Sequence, residues 1–420
     1  MNKEKIRYYL LRCITYPLGF LPYRVIHAIG NGMGLCAYYL LSNFRKRTLS
    51  NLALASGLHL KNEDIPSIAK KSFQNLMITC LEYAKFAREK NIQNIAHCEN
   101  PEKAIELLKD DKGVIFFCGH QANWEILFLE GTSRMPGVAI GKPVKNPYLY
   151  DWVLSIRQKF GGVIITPRNA IKEGLRTLRY RKFLGIVGDQ GMPDSGYESL
   201  FLGRMAWSSP IPAILAYRSG RPIIVATTTR KNSKYIIHYS DPIWPHPEKP
   251  MEEEIPRLMQ TSLGLLEESI KKNPDQWLWQ HNRWKQQLPG SIPKKFRHDS
   301  LCVILPLNRS LFEKVKGALS RFRELYPTEY ILFLAPTIYK NELSVLKEEI
   351  MWYQEENDCL IDDYRFKFVF NFTGQKKIKS HFSKRSAFAV LDYKDLVKLA
   401  DKPASTPLED LLTKALSYAR

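Results

Sequence analysis

A chain of 420 residues is long for one hydrophobic core, so two folding units are expected. The seven cysteines are widely spaced and contain no Cys-x-x-Cys, which excludes a disulfide framework and a zinc ribbon and favours a reducing, cytosol-facing location. The 62 Lys+Arg against 42 Asp+Glu leave a formal charge of +20, which implies a polyanionic partner: nucleic acid, an anionic membrane surface or a phosphorylated substrate.

At the N-terminus, "VIHAIGNGMGLCAYYLL" (25–41) is apolar, yet shorter than the ~20 residues a bilayer span requires, and it carries His27, Asn31 and glycines. No small-residue cleavage site marks it as a removable signal. Basic residues (Arg7, Arg12, Arg24, Arg45, Lys46, Arg47) and tyrosines (Tyr8, Tyr9, Tyr16, Tyr23, Tyr38, Tyr39) flank it. Residues 1–50 are therefore expected to form a membrane-associated helical segment, tilted or interfacial; a buried helical hairpin is the alternative.

From residue 113 short apolar runs alternate with helical stretches. Strands are expected at 113–118, 138–141, 162–166, 183–188, 222–229 and 234–239, and helices at 123–134, 147–160, 169–182, 208–219 and 256–273. This pattern predicts an α/β fold, a largely parallel sheet flanked by helices, over residues 51–287. Pro, Gly and basic residues in "QQLPGSIPKKFRHDS" (286–300) mark a boundary. A second, small α/β domain follows at 300–420, with helices expected through 310–324 and 340–355 between apolar strands. It carries no phosphate-loop glycine motif, metal constellation or internal repeat, and the sequence assigns it no activity.

The stretch with the most chemistry is "GVIFFCGHQANWEILFLEG" (113–131). Its His-x4-acid spacing has little value alone, since 9 His and 42 acidic residues in 420 give about one match by chance, and three occur: His59/Asp64, His97/Glu102 and His120/Glu125. Five residues along a continuous helix point two side chains apart, so the pair converges only if the His sits in a turn before the helix. Only His120 follows an apolar run and a glycine, with Asn123 as N-cap and Glu125 early in the helix. A neutral imidazole there could take the proton of an alcohol attacking an acyl carbonyl, while a carboxylate on the other ring nitrogen fixes the tautomer. The competing reading is a capping His and a Glu favoured by the helix dipole.

"GHQANWE" resembles the His-x-x-Asn-Trp-Glu signature of the late acyltransferases of lipid A biosynthesis, the lauroyl/myristoyl transferase family. Further segments agree in order: "RKRTLSNLALA" (45–55), "GKPVKNPYLYDWVLSIRQKFGG" (141–162), "GIVGDQGM" (185–192), "LFLGRMAWSSPIPAILAYRSGRPIIVA" (200–226) and "NPDQWLWQHNRWK" (273–285). The similarity covers residues 1–286. It departs from the family pattern in the residues after His120 and at Gly191.

The resemblance implies an enzyme at the cytosolic face of the inner membrane of a Gram-negative bacterium. It would move a fatty acyl group from an acyl carrier protein thioester to a hydroxyl of an anionic phosphorylated glycolipid, with no metal, organic cofactor or nucleic acid. It further implies His120 as general base, Glu125 as its orienting partner, Arg157 as a substrate-binding or charge-stabilising residue, and Asp189 as a supporting residue. Rival readings are acylation of a lysophospholipid or glycerol phosphate, a cysteine hydrolase using Cys118, and a noncatalytic membrane or nucleic-acid binder. Trp277, Trp279 and Trp284 form either an interfacial belt or a packing cluster.

Overall fold

A computed structural model describes residues 2–110, 112–287 and 292–417. Part of the boundary expected at 286–300, residues 288–291, lies outside the described residues. The chain opens with four helices, α1 (Lys3–Leu18), α2 (Tyr23–Leu40), α3 (Ser42–Leu54) and α4 (Ile65–Phe86). Its contacts divide it into two compact units, Met1–Leu40 with Ser67–Arg283, and Leu41–Pro66 with Trp284–Arg420. Residues 41–66, assigned from sequence partly to the N-terminal segment and partly to the central domain, thus pack with the C-terminal unit.

In the first unit the alternation runs β1 (Ala96–Cys98), α5 (Glu102–Lys109), β2 (Val114–Cys118), α6 (Glu125–Arg134), β3 (Gly137–Ile140), α7 (Pro147–Arg157), β4 (Val163–Ile165), α8 (Ala170–Arg179) and β5 (Phe183–Val187). A hairpin β6 (Tyr197–Phe201) and β7 (Arg204–Ser208) follows, then α9 (Ile211–Ser219), β8 (Ile223–Lys231), β9 (Lys234–Tyr239) and α10 (Met251–Lys272). Seven strands form one sheet in the order β1-β9-β8-β2-β5-β3-β4, parallel except for the β8–β9 pair. β2 lies at its centre and every residue of it is buried, which explains its unbroken apolar run. α10 supplies Leu258, Leu263, Leu266 and Ile270, all fully buried. Each contributes at most about 1.5–3 kcal/mol of transfer free energy. β1 and the β6–β7 hairpin, absent from the sequence expectation, are short or half-exposed and carry no long apolar run.

α2 covers the apolar segment expected at 25–41, and its contact with α4 is close: a Cβ on Gly34 would fall 2.3 Å from the Gln74 Cα. No described helix is long and apolar enough to cross a membrane.

The second unit holds a five-stranded, all-parallel sheet ordered β12-β11-β10-β13-β14. Its elements are β10 (Ser300–Ile304), α11 (Arg309–Lys316), α12 (Leu319–Leu325), β11 (Tyr330–Pro336), β12 (Glu349–Tyr353), β13 (Phe368–Asn371), α13 (Lys376–Lys384), β14 (Ala389–Asp392), α14 (Tyr393–Ala400) and α15 (Leu408–Leu416). Separate apolar clusters cover its two faces. The helix expected through 340–355 is replaced by β12. There the bulky run Ile350–Tyr353 pairs with β11, and sheet pairing overrides the helical periodicity of the preceding leucines. The helix expected through 310–324 is broken into α11 and α12 around Gly317.

One charge pair lies deep in this unit. Lys367 Nζ meets Asp299 at 2.8 Å and Asn51 Oδ1 at 2.9 Å, with both charged side chains buried. Lys367→Met would strand the Asp299 charge and is expected to cost about 3–5 kcal/mol, read as a lowered denaturation midpoint of the second unit.

Candidate active site

The chain leaves the centre of the first sheet at Cys118 and turns through Gly119. A Cβ on Gly119 would fall 2.8 Å from Asp189 Oδ2 and 2.9 Å from a Leu266 methyl, so a larger residue would have to displace the carboxylate or the leucine. Three residues on, Ala122 takes a left-handed φ of 47°, which costs a non-glycine residue about 1–3 kcal/mol. The surroundings offset this: Ala122 N–H donates to Gln276 O (2.6 Å), and Ala122 O accepts from Asn75 Nδ2 (3.2 Å) and Thr79 Oγ1 (2.9 Å). The turn is thereby clamped between α4 and the segment after α10.

His120 stands at the start of this turn, its side chain 14% exposed. Its Nδ1 lies 2.6 Å from Asp189 Oδ1, and its backbone N–H donates to Asp189 Oδ2 at 2.7 Å. Trp277 Nε1–H donates to the same Oδ2 at 2.7 Å. Burial opposes the charge on Asp189, yet the His120 ring, the His120 N–H and the Trp277 N–H hold its carboxyl at about 2, below the usual range. An ionised carboxylate only accepts, so Nδ1 carries a proton, and in the neutral ring the lone pair is on Nε2. Gln190 Nε2 lies 3.2 Å from that nitrogen, and the Trp124 ring packs edge-on against the imidazole at 4.6 Å.

Glu125 opens α6 as expected, but its carboxylate is taken by Arg157 at the end of α7, through Nε to Oε2 at 2.8 Å and Nη2 to Oε1 at 2.5 Å. Arg157 Nη2 also donates to the Tyr83 hydroxyl at 3.2 Å. Burial disfavours the guanidinium charge, but Glu125 and then Tyr83 overcome it and hold Arg157 firmly protonated. The expected orientation of His120 by Glu125 is therefore corrected: Asp189 occupies Nδ1, and Glu125 fixes Arg157. The reason is sheet register. β2 and β5 are parallel neighbours with Cys118 opposite Val187, so His120 and Asp189 both emerge two residues beyond that pair.

A third buried carboxylate supports the turn from behind. Glu82 on α4 is fully buried and receives Asn123 Nδ2 (2.7 Å), the Tyr235 hydroxyl (2.5 Å) and His27 Nε2 (2.7 Å). Glu82, Tyr83, Gln190 and Trp277 were not singled out as site residues from sequence. Only Gln190 and Trp277 lay in quoted motifs, and no spacing signals the α4 pair. Trp277 and Trp279 are buried, with rings 4.5 Å apart, and Trp284 is likewise buried in the second unit; these tryptophans are packing residues and not an exposed belt.

His120, Glu125, Arg157 and Gln190 open onto one cavity of about 940 Å³. Its inner wall is apolar, with Phe116, Leu127, Phe128, Ile164, Phe183 and Ile186, while Lys142 and Arg168 add positive charge. Cys118 also lines it, but burial pushes its thiol well above the ordinary range and its Sγ lies 3.7 Å from Ile186 O, a poor setting for a thiolate nucleophile. Among the described residues no group of His, Cys, Asp and Glu is arranged to hold a metal ion.

Residues 3–286 match the bacterial lipid A biosynthesis acyltransferase family. The chain belongs to that family. It is similar to the lipid A biosynthesis lauroyltransferase of Escherichia coli (strain K12), 21% identical over 280 residues, which is 66% of this chain and 90% of that protein. As a lipid A acyltransferase family member it acts in acyl transfer for lipid A biosynthesis, and the family match ends before the second α/β sheet begins.

Asp189→Asn preserves volume but offers an amide N–H where Nδ1 needs an acceptor, favouring the wrong tautomer. It is expected to lower kcat by about 10³–10⁴-fold with little change in KM, measured by steady-state acyl transfer. A loss below about tenfold would remove Asp189 from this role.

Proposed function

We propose that this acyltransferase moves a fatty acyl group from an acyl carrier protein thioester to a hydroxyl of a phosphorylated lipid A precursor, with His120 as general base. The observation that carries the reading is an imidazole with Nδ1 held by an ionised carboxylate and Nε2 beside an apolar cavity. His120 Nε2 takes the proton of the acceptor hydroxyl as its oxygen attacks the thioester carbonyl. The tetrahedral intermediate collapses with cleavage of the C–S bond, and the imidazolium returns the proton to the departing thiolate. Asp189 stabilises the imidazolium between these steps.

In this reading Arg157 answers the negative charge that develops on the carbonyl oxygen. Its Nε and Nη2 are spent on Glu125 and Tyr83, while Nη1 has no hydrogen-bond partner among the described residues and remains available. Glu125 is a positioning residue that aims this guanidinium. The apolar wall suits an acyl chain, and Lys142 and Arg168, with the overall +20 charge, suit an anionic carrier and lipid phosphates.

With purified full-length protein, carrier-protein thioesters and a lipid A precursor, mass spectrometry is expected to show an acylated glycolipid, reduced by about 10²–10⁴-fold in His120→Ala. Transfer to a lysophospholipid alone would overturn the acceptor, and activity indifferent to His120 would overturn the mechanism.

We further propose that α1 and α2 lie on the cytosolic face of the inner membrane. Ile6, Leu10 and Ile14 on α1, Phe20 in the turn after it, and Met33 and Leu40 on α2 are exposed apolar side chains, and the same helices carry Arg7, Arg12 and Arg24. The protein is expected to sediment with anionic phospholipid vesicles and to be released when Leu10 and Ile14 are both changed to Glu. Retention of that variant on the vesicles, or wild-type protein left in the supernatant, would overturn this placement.

A further inference from the structure

The second unit, outside the family match, has its own topological feature. Its chain begins at the central strand β10, moves outward through β11 to β12, and returns to the other side of β10 with β13 and β14. In open parallel sheets of this kind, ligands bind in the crevice beyond the carboxyl ends of the two strands where the winding reverses. Here those strands are β10 and β13.

A cavity of about 430 Å³ lies at that place. Leu307 enters it from the segment after β10, Gln375, Lys377 and Ile378 from the segment after β13, and Gln354 to Asn357 with Leu360 from the segment after β12. Its polar lining is dominated by carboxamides and carboxylates. The Gln354, Glu356 and Gln375 side chains have no hydrogen-bond partner among the described residues, and Asn357 uses only its Oδ1, which accepts from Lys377 Nζ at 3.2 Å. α13 begins at this cavity without a side-chain cap.

The lining selects a ligand class. Two carboxylates, Glu355 and Glu356, against the one lysine disfavour a phosphate or other polyanion, despite the nearby helix start. No aromatic ring lines the cavity for a nucleobase to stack upon. Carboxamides that both donate and accept and carboxylates that accept, beside a small apolar wall of Leu307, Leu360 and Ile378, match hydroxyl groups on a compact ring with an exposed C–H face. We infer that this cavity is a saccharide-binding site, taking a neutral or amino sugar. It is separate from the acyl-transfer cavity and does not depend on the mechanism assigned there.

Saturation-transfer NMR on the full-length protein tests this, with D-glucose, D-mannose, D-glucosamine and N-acetyl-D-glucosamine as probes and inorganic phosphate and adenosine as competitors. At least one sugar is expected to bind both wild-type and His120→Ala protein, about tenfold more weakly in Glu356→Ala/Gln375→Ala, the loss of one or two ligand hydrogen bonds. Acyl transfer by that double variant is expected to be unchanged, so a failure here stays distinct from a failure of the catalytic reading. No sugar binding, binding insensitive to the double variant, or displacement by phosphate or adenosine would overturn the assignment.

Discussion

The geometry of the first unit depends on the charge of Asp189. A buried carboxylate persists only if its lone pairs are met, and Asp189 accepts from the His120 ring, the His120 N–H and the Trp277 indole. Each partner imposes a constraint. The first fixes a tautomer and the second fixes the path of the chain as it leaves β2. The third requires the segment after α10 to return across the end of the sheet. Gly119 suits the same demand, because a Cβ there would press on that carboxylate.

Much of the sheet was legible because buried parallel strands leave continuous apolar runs, as in Val114–Cys118 and Phe183–Val187. What escaped were elements whose identity depends on partners. β12 carries helical spacing in front of it and becomes a strand only beside β11. Residues 41–66 hold no composition break, yet their contacts place them with a sheet that begins about 250 residues later. His120 and Asp189 were both recognisable as motif residues, but the pairing was not. Their 69-residue separation is invisible to any local pattern and becomes meaningful only through the β2–β5 register. Glu125, five residues away, was the nearer and wrong partner for the imidazole.

The two ion pairs near the cavity present different groups to it. The His120–Asp189 pair presents the imidazole Nε2 edge, and the Glu125–Arg157 pair presents a guanidinium. Asp189 is held ionised and so is not free to act as a proton donor, and Glu125 is engaged in a bidentate pair. Both pairs are fixed in place by the fold before any ligand arrives.

The network behind the turn has a mechanical meaning of its own. Glu82 holds Asn123 of the turn after β2 through one oxygen and His27 of α2 through the other. A single carboxylate therefore ties α2 and the turn to the same point on α4. Moving α2 relative to α4 would break or strain the His27 bond to the carboxylate that also holds Asn123.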